Sequence, residues 1–519
     1  MMKSQKDVLV TDLPARLSDI PWYWADMTPD APALRDSTVA WSYAQLGAAV
    51  EAGVALLRDL DVRPGDRVMV VGENCAAQVA LIFAAAAVDA WVVIVNARLS
   101  QREMDVIRDH CGARRVIYTI APSSDAVAHG ERHNAAPVNA GPLGDLAIGP
   151  LNVTCAAEPV AASNGEQVAV LIYTTGTTGH PKGVMLTHRN LLFIAASSSS
   201  LRAMTSNDRV YGVLPISHVF GLAGVMLATF YAGACVYLVP RYSPEALLNA
   251  LEHDGITVLP GVPAMYARLL EMSNKSGISP KVSKLRFTYA GGAPLDPTLK
   301  SEVEKLFRQP LHNGYGLTES SPSISLTRLD APRADTSVGQ VIPGVEIRIV
   351  DSMECDVHDG KTGELWVRGP NVMKGYYREP ELTASVMRDG GWLNTGDLAR
   401  QDPDGALFIV GRTKELIIRS GFNVYPIEVE SALNSHVAVT QSAVVGRLVA
   451  DGNEEVVAFV ELDPQQNVTT TVLHTYLSNM LSPYKCPSEI VIMQSLPSAA
   501  TGKVLKGQLK KMAQQMFDK

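Results

Sequence analysis

The segment Tyr173-Thr174-Thr175-Gly176-Thr177-Thr178-Gly179-His180-Pro181-Lys182-Gly183 follows directly on the apolar run Val168-Ala169-Val170-Leu171-Ile172. Such a run reads as a buried strand, and here it opens into a loop of glycine, threonine and one lysine. Glycine lets backbone N–H groups approach a ligand closely, threonine hydroxyls add donors, and Lys182 contributes a point charge. A loop of this kind suits a polyphosphate. It is not a Walker loop, because Gly-x-x-x-x-Gly-Lys-Ser/Thr is absent and Pro181 precedes the lysine. A glycine-rich surface turn is the plain alternative, and the strand in front of the loop argues against it.

With 519 residues the chain exceeds one ordinary core, so at least two domains are expected. A hydrophobic share of 47% with 19% charged residues fits a soluble globular protein. The net charge of −8 and the lack of a basic stripe disfavour nucleic acid, so a polyanionic ligand must be held by local groups. Cys75, Cys111, Cys155, Cys235, Cys355 and Cys486 form no Cys-x-x-Cys pair, which points to reduced thiols and a cytoplasmic setting instead of a zinc or disulfide framework. Met1 to Ile20 shows no apolar leader segment, and Asp89 interrupts the most apolar stretch, Val79 to Val95. That stretch reads as a buried helix (Val79–Val88) turning into a strand (Trp91–Val95), not as a membrane span. Val225 to Val239 repeats the arrangement around Gly233.

From about residue 40 to 320 apolar strands alternate with helical segments, the pattern of α/β layers on parallel sheets. Ala121 to Gln167, rich in Ala, Pro, Gly, Ser and Asn, reads as an irregular connection. Ser337 to Arg412 turns to short strands, with Asp402-Pro403-Asp404-Gly405 as a hairpin turn between Thr395–Arg400 and Ala406–Val410. Mixed α/β follows, with helices expected near Pro426–Leu433 and Val472–Leu481 and a strand near Val456–Leu462.

The phosphate loop is not alone. Gly314-Tyr315-Gly316-Leu317-Thr318-Glu319, Asn394-Thr395-Gly396-Asp397, Gly411-Arg412-Thr413-Lys414-Glu415-Leu416 and Thr501-Gly502-Lys503 follow it along the chain. In this order the motifs resemble, over nearly the whole length, the adenylate-forming superfamily of acyl-CoA synthetases, carrier-protein-loading adenylation domains and luciferases. The resemblance implies an α/β protein with a large N-terminal domain (1–412) of two layered α/β subdomains plus a β-barrel-like part. A small mobile α+β C-terminal domain (413–519) would follow a hinge near Thr413-Lys414. It also implies ATP, Mg2+ and coenzyme A as ligands, a small carboxylic acid as substrate, no integral membrane segment, and a homodimer as the assembly to consider.

A carboxylate is a poor acyl donor because its leaving group would be oxide. Attack on the α-phosphate of ATP replaces that leaving group with AMP and releases pyrophosphate. Charge builds on the α-phosphate, so cations and donors aimed there lower the barrier. By resemblance Lys503 bridges carboxylate and α-phosphate; read by position alone it is a solvated lysine beside Lys506, Lys510 and Lys511. Glu319, with Thr174, is the implied magnesium ligand, since this ion takes one or two carboxylates plus phosphate oxygens. Thr174, Thr175, Gly176, Thr177, Thr178, Gly179, Lys182 and Thr318 are implied on the phosphates. Gly292, Ala293, Asn313, Gly314, Tyr315, Gly316 and Ile409 are implied around the nucleotide. Asp397 can accept two hydrogen bonds from ribose hydroxyls and Arg412 can add a donor; the alternative is a pair that merely ties the hairpin to the hinge. His218 is implied as a gate between the acid and thiol sites, against the bland reading of a satisfied core histidine. It forms no hydrolase pair with Ser217, because no nucleophile elbow surrounds that serine.

Ser420-Gly421-Phe422-Asn423-Val424-Tyr425-Pro426 and Gly375-Tyr376-Tyr377-Arg378-Glu379-Pro380 have the character of CoA ligases, so Ser420, Gly421 and Phe422 are expected to face coenzyme A. No carrier-protein sequence follows Lys503, which favours free CoA over a carrier. A sensor with a degenerate site would lack one of Lys182, Glu319, Asp397 or Lys503, and all four are present. A luciferase-like oxygenase would share every motif and differ in the acyl pocket. By resemblance that pocket draws on His218, Phe220, Gly224, Tyr289, Gly291, Gly292 and Gly316. These are largely apolar, aromatic or small, and buried apolar walls favour a hydrophobic acyl group by about 0.8 kcal/mol per CH2. Gly224 and Gly292 are expected to leave depth and Tyr289 to close the floor. Diacids are disfavoured, since no arginine falls in Phe287–Pro294 or His312–Glu319. The reading leans to a fatty or general acyl group, with an aryl acid of the coumarate or benzoate kind as the alternative.

Overall fold

The computed structural model describes residues 13–175, 181–278, 280, 282–420, 422–449, 453–463, 466, 468–498 and 504–517. The apolar runs form the strands their patterns predict. Arg67–Gly72, Trp91–Asn96, Arg115–Thr119 and Val168–Thr175 pair in parallel at the centre of an eight-stranded sheet. A nine-stranded sheet runs in parallel through Cys235–Leu238, Arg209–Gly212, Val258–Gly261, Phe287–Ala290 and Leu311–Gly316. Parallel strands need crossovers and are covered on both faces, which is why they read as continuous Val/Ile/Leu runs.

The helices Ala76–Ala87 and His188–Leu201 are buried on nearly every side and share one core with residues of both sheets. Thr187 caps the second of these, accepting from the Asn190 N–H, while Asn190 reaches back to the Thr187 N–H. The cap fixes the strand Pro181–Thr187 to its helix directly after the phosphate loop. The two long apolar stretches are thus buried, and among the described residues no helix is long and apolar enough to cross a membrane.

The stretch Ala121 to Gln167 is more regular than its composition predicts. It contains the helix Ser124–Arg132, capped by Ser123, and the hairpin strands Ala136–Asn139 and Asp145–Ile148 at the edge of the eight-stranded sheet. The reason is visible in the burial. Every residue of Ala136–Asn139 is exposed, so this edge strand carries no apolar alternation and its regularity comes from pairing alone. Beyond residue 337 the strands Glu346–Val350, Gly363–Arg368, Met387–Arg388, Trp392–Gln401 and Leu407–Arg412 form an antiparallel five-stranded sheet, with the Asp402–Gly405 turn where expected. Past Arg412, three strands (Val439–Leu448, Glu454–Leu462, Glu489–Met493) and the helices Pro426–Asn434, Thr470–Ser478 and Lys506–Phe517 build their own small cores.

Two glycines give opposite expectations. A Cβ on Gly316 would lie 1.5 Å from the Pro322 carbonyl oxygen, whereas one on Gly507, inside the last helix, would meet nothing within 4 Å. Gly316→Ala is expected to cost at least about 1–3 kcal/mol and lower Tm by several degrees. Gly507→Ala is expected to gain about 0.5–1 kcal/mol. Thermal and urea unfolding of the two variants checks both signs.

Candidate functional site

Strand Val168–Thr175 turns back on Pro181–Thr187 in an antiparallel pair that brings Thr174 opposite Lys182 and Thr175 opposite Pro181. Thr174 and Lys182 are half-buried at the end of this hairpin. Gly176, Thr177, Thr178 and Gly179 lie outside the described residues, as do Gly421 and the Thr501-Gly502-Lys503 motif. Behind the hairpin the Tyr173 hydroxyl meets His110 Nδ1 at 2.7 Å. Burial, reinforced by the Arg378 charge, pushes the His110 imidazolium down, so a neutral ring faces the phenol.

The next strand to pair with Pro181–Thr187 is Gly375–Tyr376, with Tyr376 opposite Val184. Its phenol donates to Glu319 Oε1 at 2.8 Å, and its ring centroid is 5.4 Å from Lys182 Nζ. Burial and then the Glu319 carboxylate push the Tyr376 phenol up, which keeps it a donor. Three residues far apart in the chain thus meet: the loop lysine, the motif glutamate and a tyrosine that sequence reasoning passed over. The signal for Tyr376 was present in Gly375-Tyr376-Tyr377, but nothing local shows that its hydroxyl reaches residue 319.

Glu319 itself stands on a short turn of 3-10 helix, Thr318–Ser320, directly after the strand Leu311–Gly316. Thr318 is buried and Glu319 half-buried. On the same strand Tyr315 donates a short hydrogen bond to Asp397 Oδ2, and Arg412 Nε holds Asp397 Oδ1 at 3.0 Å. Asp397 and Arg412 are direct partners across the Trp392–Gln401 and Leu407–Arg412 ladder. Burial works against the Arg412 charge, yet Asp397 and Glu415 hold it on. Ile409, half-buried on the same ladder, packs in one cluster with Tyr315. Asn313 is committed to backbone: its Nδ2 donates to the carbonyls of Thr336 and Ser337 at 3.2 and 3.3 Å, and its Oδ1 accepts from the Gly314 N–H at 3.0 Å. Gly292, at φ +80°, is exposed and Ala293 half-buried, just past the strand Phe287–Ala290.

The residues expected around the acid also converge. His218 is half-buried, and its Nδ1 accepts from the Phe220 N–H at 3.3 Å. Phe220 opens a π-helix, Phe220–Leu227, that contains Gly224. The depth expected at Gly224 is taken up by this phenylalanine. A Cβ on Gly224 would come 3.1 Å from Phe220 Cδ2, and one on Gly291 would come 3.1 Å from Phe220 Cε1. Tyr289 packs beside them: its hydroxyl donates to the Gly224 carbonyl at 3.3 Å, and its ring lies 5.9 Å from Phe220 and 5.7 Å from Phe287.

Lys414 is exposed within the 3-10 turn Thr413–Glu415. Ser420, at φ +51°, donates its N–H to Asn453 Oδ1 at 2.6 Å, and exposed Phe422 stacks on Tyr484 at 4.8 Å. Lys506 Nζ joins Glu415 Oε2 at 3.1 Å to Glu430 Oε1 at 2.8 Å.

Comparison with known proteins shows what the whole chain is similar to. The chain matches the family described as AMP-binding enzyme over residues 22–377, and the AMP-binding enzyme C-terminal domain over residues 428–503. It is 34% identical over 491 residues to a feruloyl-CoA synthase of Amycolatopsis sp, covering 94% of this chain and 97% of that protein. To an indoleacetate–CoA ligase of Aromatoleum aromaticum it is 34% identical over 499 residues, covering 94% and 96%. The crystal structure of ATP-bound MatB from Rhodopseudomonas palustris superposes with a TM-score of 0.84 at 28% identity, covering 96% of this chain and 99% of the other.

The half-buried Tyr315 phenol donates to a carboxylate that Arg412 also holds. Tyr315→Phe removes one hydrogen bond to a charged group and is expected to cost about 1.5–3 kcal/mol. Urea unfolding of the variant checks it, and an unchanged midpoint would mean that water replaces the phenol without loss.

Proposed function

The chain belongs to the AMP-binding enzyme family, and on that premise we propose that the acid it activates is a hydrophobic aryl or arylalkanoic acid. The activity is that of an AMP-forming acid–CoA ligase, with ATP, magnesium and coenzyme A as its ligands. The observation that carries the aryl reading is the pocket wall. Phe220 lies against both Gly291 and Gly224, the Tyr289 ring packs on Phe220 and on Phe287, and the Tyr289 hydroxyl bonds the Gly224 carbonyl. A flat ring stacks against such walls at centroid spacings of about 4.5–7 Å, whereas a long straight chain needs an open tunnel. The lean toward straight-chain acids rested on the character of two short segments and yields to this. The full-length likeness to ligases named for ferulate and indoleacetate supports the same reading.

In the first half-reaction the carboxylate oxygen forms a bond to the α-phosphorus of ATP, the bond to the β-phosphate bridging oxygen breaks, and pyrophosphate leaves. Lys503 supplies the positive charge beside the α-phosphate, where charge is greatest in the transition state. Lys182, with Thr174 and the following loop, takes the outer phosphates. Glu319 and Thr174 bring hard oxygen donors to the end of the hairpin and fit a magnesium ion, which would neutralise phosphate charge when bound. Tyr376 holds one oxygen of Glu319 and so fixes which way the carboxylate points. Asp397 takes the ribose hydroxyls, with Arg412 fixing its rotamer, and Tyr315 lies along the adenine.

In the second half-reaction the CoA sulfur attacks the acyl carbonyl and AMP departs with the bonding pair. We assign the boundary between a large N-terminal and a small C-terminal unit to residues 412/413. Rotation at Lys414 exchanges the Lys503 loop for the Ser420–Phe422 face, which receives the pantetheine arm, and His218 lies between the acid and the incoming thiol.

Three outcomes follow. With ATP and Mg2+, CoA-thioester formation is expected to favour cinnamic or indoleacetic acid over octanoic or malonic acid, and preference for either of the latter two overturns the aryl reading. Lys503→Ala is expected to slow pyrophosphate exchange by about 10²–10³-fold while sparing thioester formation from supplied acyl-adenylate. Equal loss in both half-reactions would remove the assignment. Lys414→Pro fixes φ near about −65°, so it is expected to release pyrophosphate in a single turnover but to transfer slowly to CoA. Transfer at the parent rate would exclude a rotating unit.

A further inference from the structure

Arg202 directly follows the helix His188–Leu201 and is only 6% exposed. Its Nη1 donates to the Gly224 carbonyl at 3.1 Å, the same oxygen that Tyr289 approaches, and its Cζ stands 4.0 Å from the Tyr289 ring centroid. A guanidinium carries five N–H donors, and among the described residues this one forms no ion pair with a carboxylate and no second side-chain hydrogen bond. The carboxylate that could have served, Asp208, is taken in a two-pronged pair by Arg286, at 2.6 and 2.7 Å. Arg286 Nη1 in turn donates to the Arg202 carbonyl at 3.1 Å, which pins the backbone of Arg202 but leaves its charge uncompensated.

Beside the guanidinium lies a cavity of about 20 Å³, bordered by Arg202, Tyr289, Phe287, His312, Thr327 and Leu326. That is room for one oxygen atom with its hydrogen. The polar groups across the cavity are already occupied. His312 Nδ1 and Thr327 Oγ1 pair at 3.3 Å, and burial, followed by the Arg202 charge, pushes His312 down to about 4, so it is neutral and supplies no counter-charge. A buried, unpaired cation is costly to keep, and a ring face plus one carbonyl recovers only part of that cost. Arg202 is also the arginine that the pocket segments Phe287–Pro294 and His312–Glu319 lack, delivered from a helix about ninety residues earlier in the chain.

We propose that Arg202 is a specificity-determining residue that, together with Tyr289, makes the closed end of the acyl pocket select aryl acids bearing an oxygen hydrogen-bond acceptor at the ring position farthest from the carboxylate. The inference rests on the aryl-acid reading of the pocket. Phe220 marks the track: its ring runs from beside Gly291 and Gly292 to Gly224. A substrate ring lying along it, with its carboxylate at the glycine pair, brings its far substituent to the Gly224 carbonyl, where Arg202 and Tyr289 converge. There a phenolic oxygen accepts from the guanidinium, whereas a methyl group of the same size leaves the cation unsatisfied. Sites built to hydrogen-bond a substrate oxygen reject the analogue that lacks it far more strongly than apolar pockets reject an extra methylene.

The test uses the full-length enzyme with ATP, Mg2+ and CoA. kcat/KM is measured for 4-hydroxycinnamic acid and its isostere 4-methylcinnamic acid, with octanoic acid as a third substrate. The parent is expected to prefer the hydroxy acid by at least about tenfold. Arg202→Met, which keeps the length of the side chain, is expected to bring that ratio close to one while 4-methylcinnamate is turned over within about threefold of the parent. Arg202→Lys, retaining the charge, is expected to fall between. Because the readout is a ratio within one variant, partial loss of folded enzyme does not alter it, and the lysine variant carries the test if the methionine variant does not fold. An unchanged ratio in Arg202→Met, or equal parental rates with the hydroxy and methyl acids, overturns the role of Arg202 and leaves the aryl reading standing. Turnover of octanoate with neither cinnamate overturns both.

Discussion

Asp397 is held by two donors in one place: the neutral Tyr315 hydroxyl from the strand Leu311–Gly316 and the Arg412 guanidinium from its own ladder partner. Tyr315 belongs to the nine-stranded sheet and Asp397 to the antiparallel five-stranded one, so this contact is a seam between two separately built layers. Much of the site is arranged around it. Residue 316 follows the tyrosine, Glu319 stands three residues on, and the Thr413–Glu415 turn begins directly after Arg412. A carboxylate buried to 3% exposure must be matched by donors, and the chain supplies them from both layers.

The second junction is the hairpin at the phosphate loop. Its outer edge is paired by Gly375–Tyr376, and the tyrosine spans from Lys182 to Glu319. The one tyrosine thus has the Lys182 ammonium beside its ring and the Glu319 carboxylate on its hydroxyl. The two motifs are separated by more than a hundred residues of chain, yet one hydroxyl sets their spacing.

The parts legible in the sequence are those governed by local periodicity and turn chemistry. The apolar runs at 91–95 and 168–172 became buried strands, the Asp402–Gly405 turn joined its two strands, and the helices near 426 and 472 formed as their patterning required. Motif residues Tyr315, Glu319, Asp397 and Arg412 were legible through the family resemblance that their short motifs carry, and the structure brings the first, third and fourth into contact. What could not be read is what side chains do across the fold. The edge hairpin within 121–167 has no alternation to betray it, because none of Ala136–Asn139 is buried. Gly224 suggests empty space only until the Phe220 ring, four residues earlier on a π-helix, is placed against it. Arg202 reads as an ordinary helix-end cation, and only the packing of Tyr289 upon it shows that it is buried.

The triad of Lys506 with Glu415 and Glu430 has a bearing on how the two ends of the molecule communicate. Glu415 adjoins Lys414 in the Thr413–Glu415 turn, Glu430 lies on the helix Pro426–Asn434, and Lys506 opens the last helix. One ammonium thus fastens the turn to two helices beyond it, and partial burial makes it costly to leave any of the three charges unpaired without hydrating it. Any reorientation of the C-terminal helices about that turn must either carry the triad along intact or break it and hydrate three charges. In the second case dissolved ions compete for the freed carboxylates, and the balance between orientations becomes a function of ionic strength instead of ligand alone.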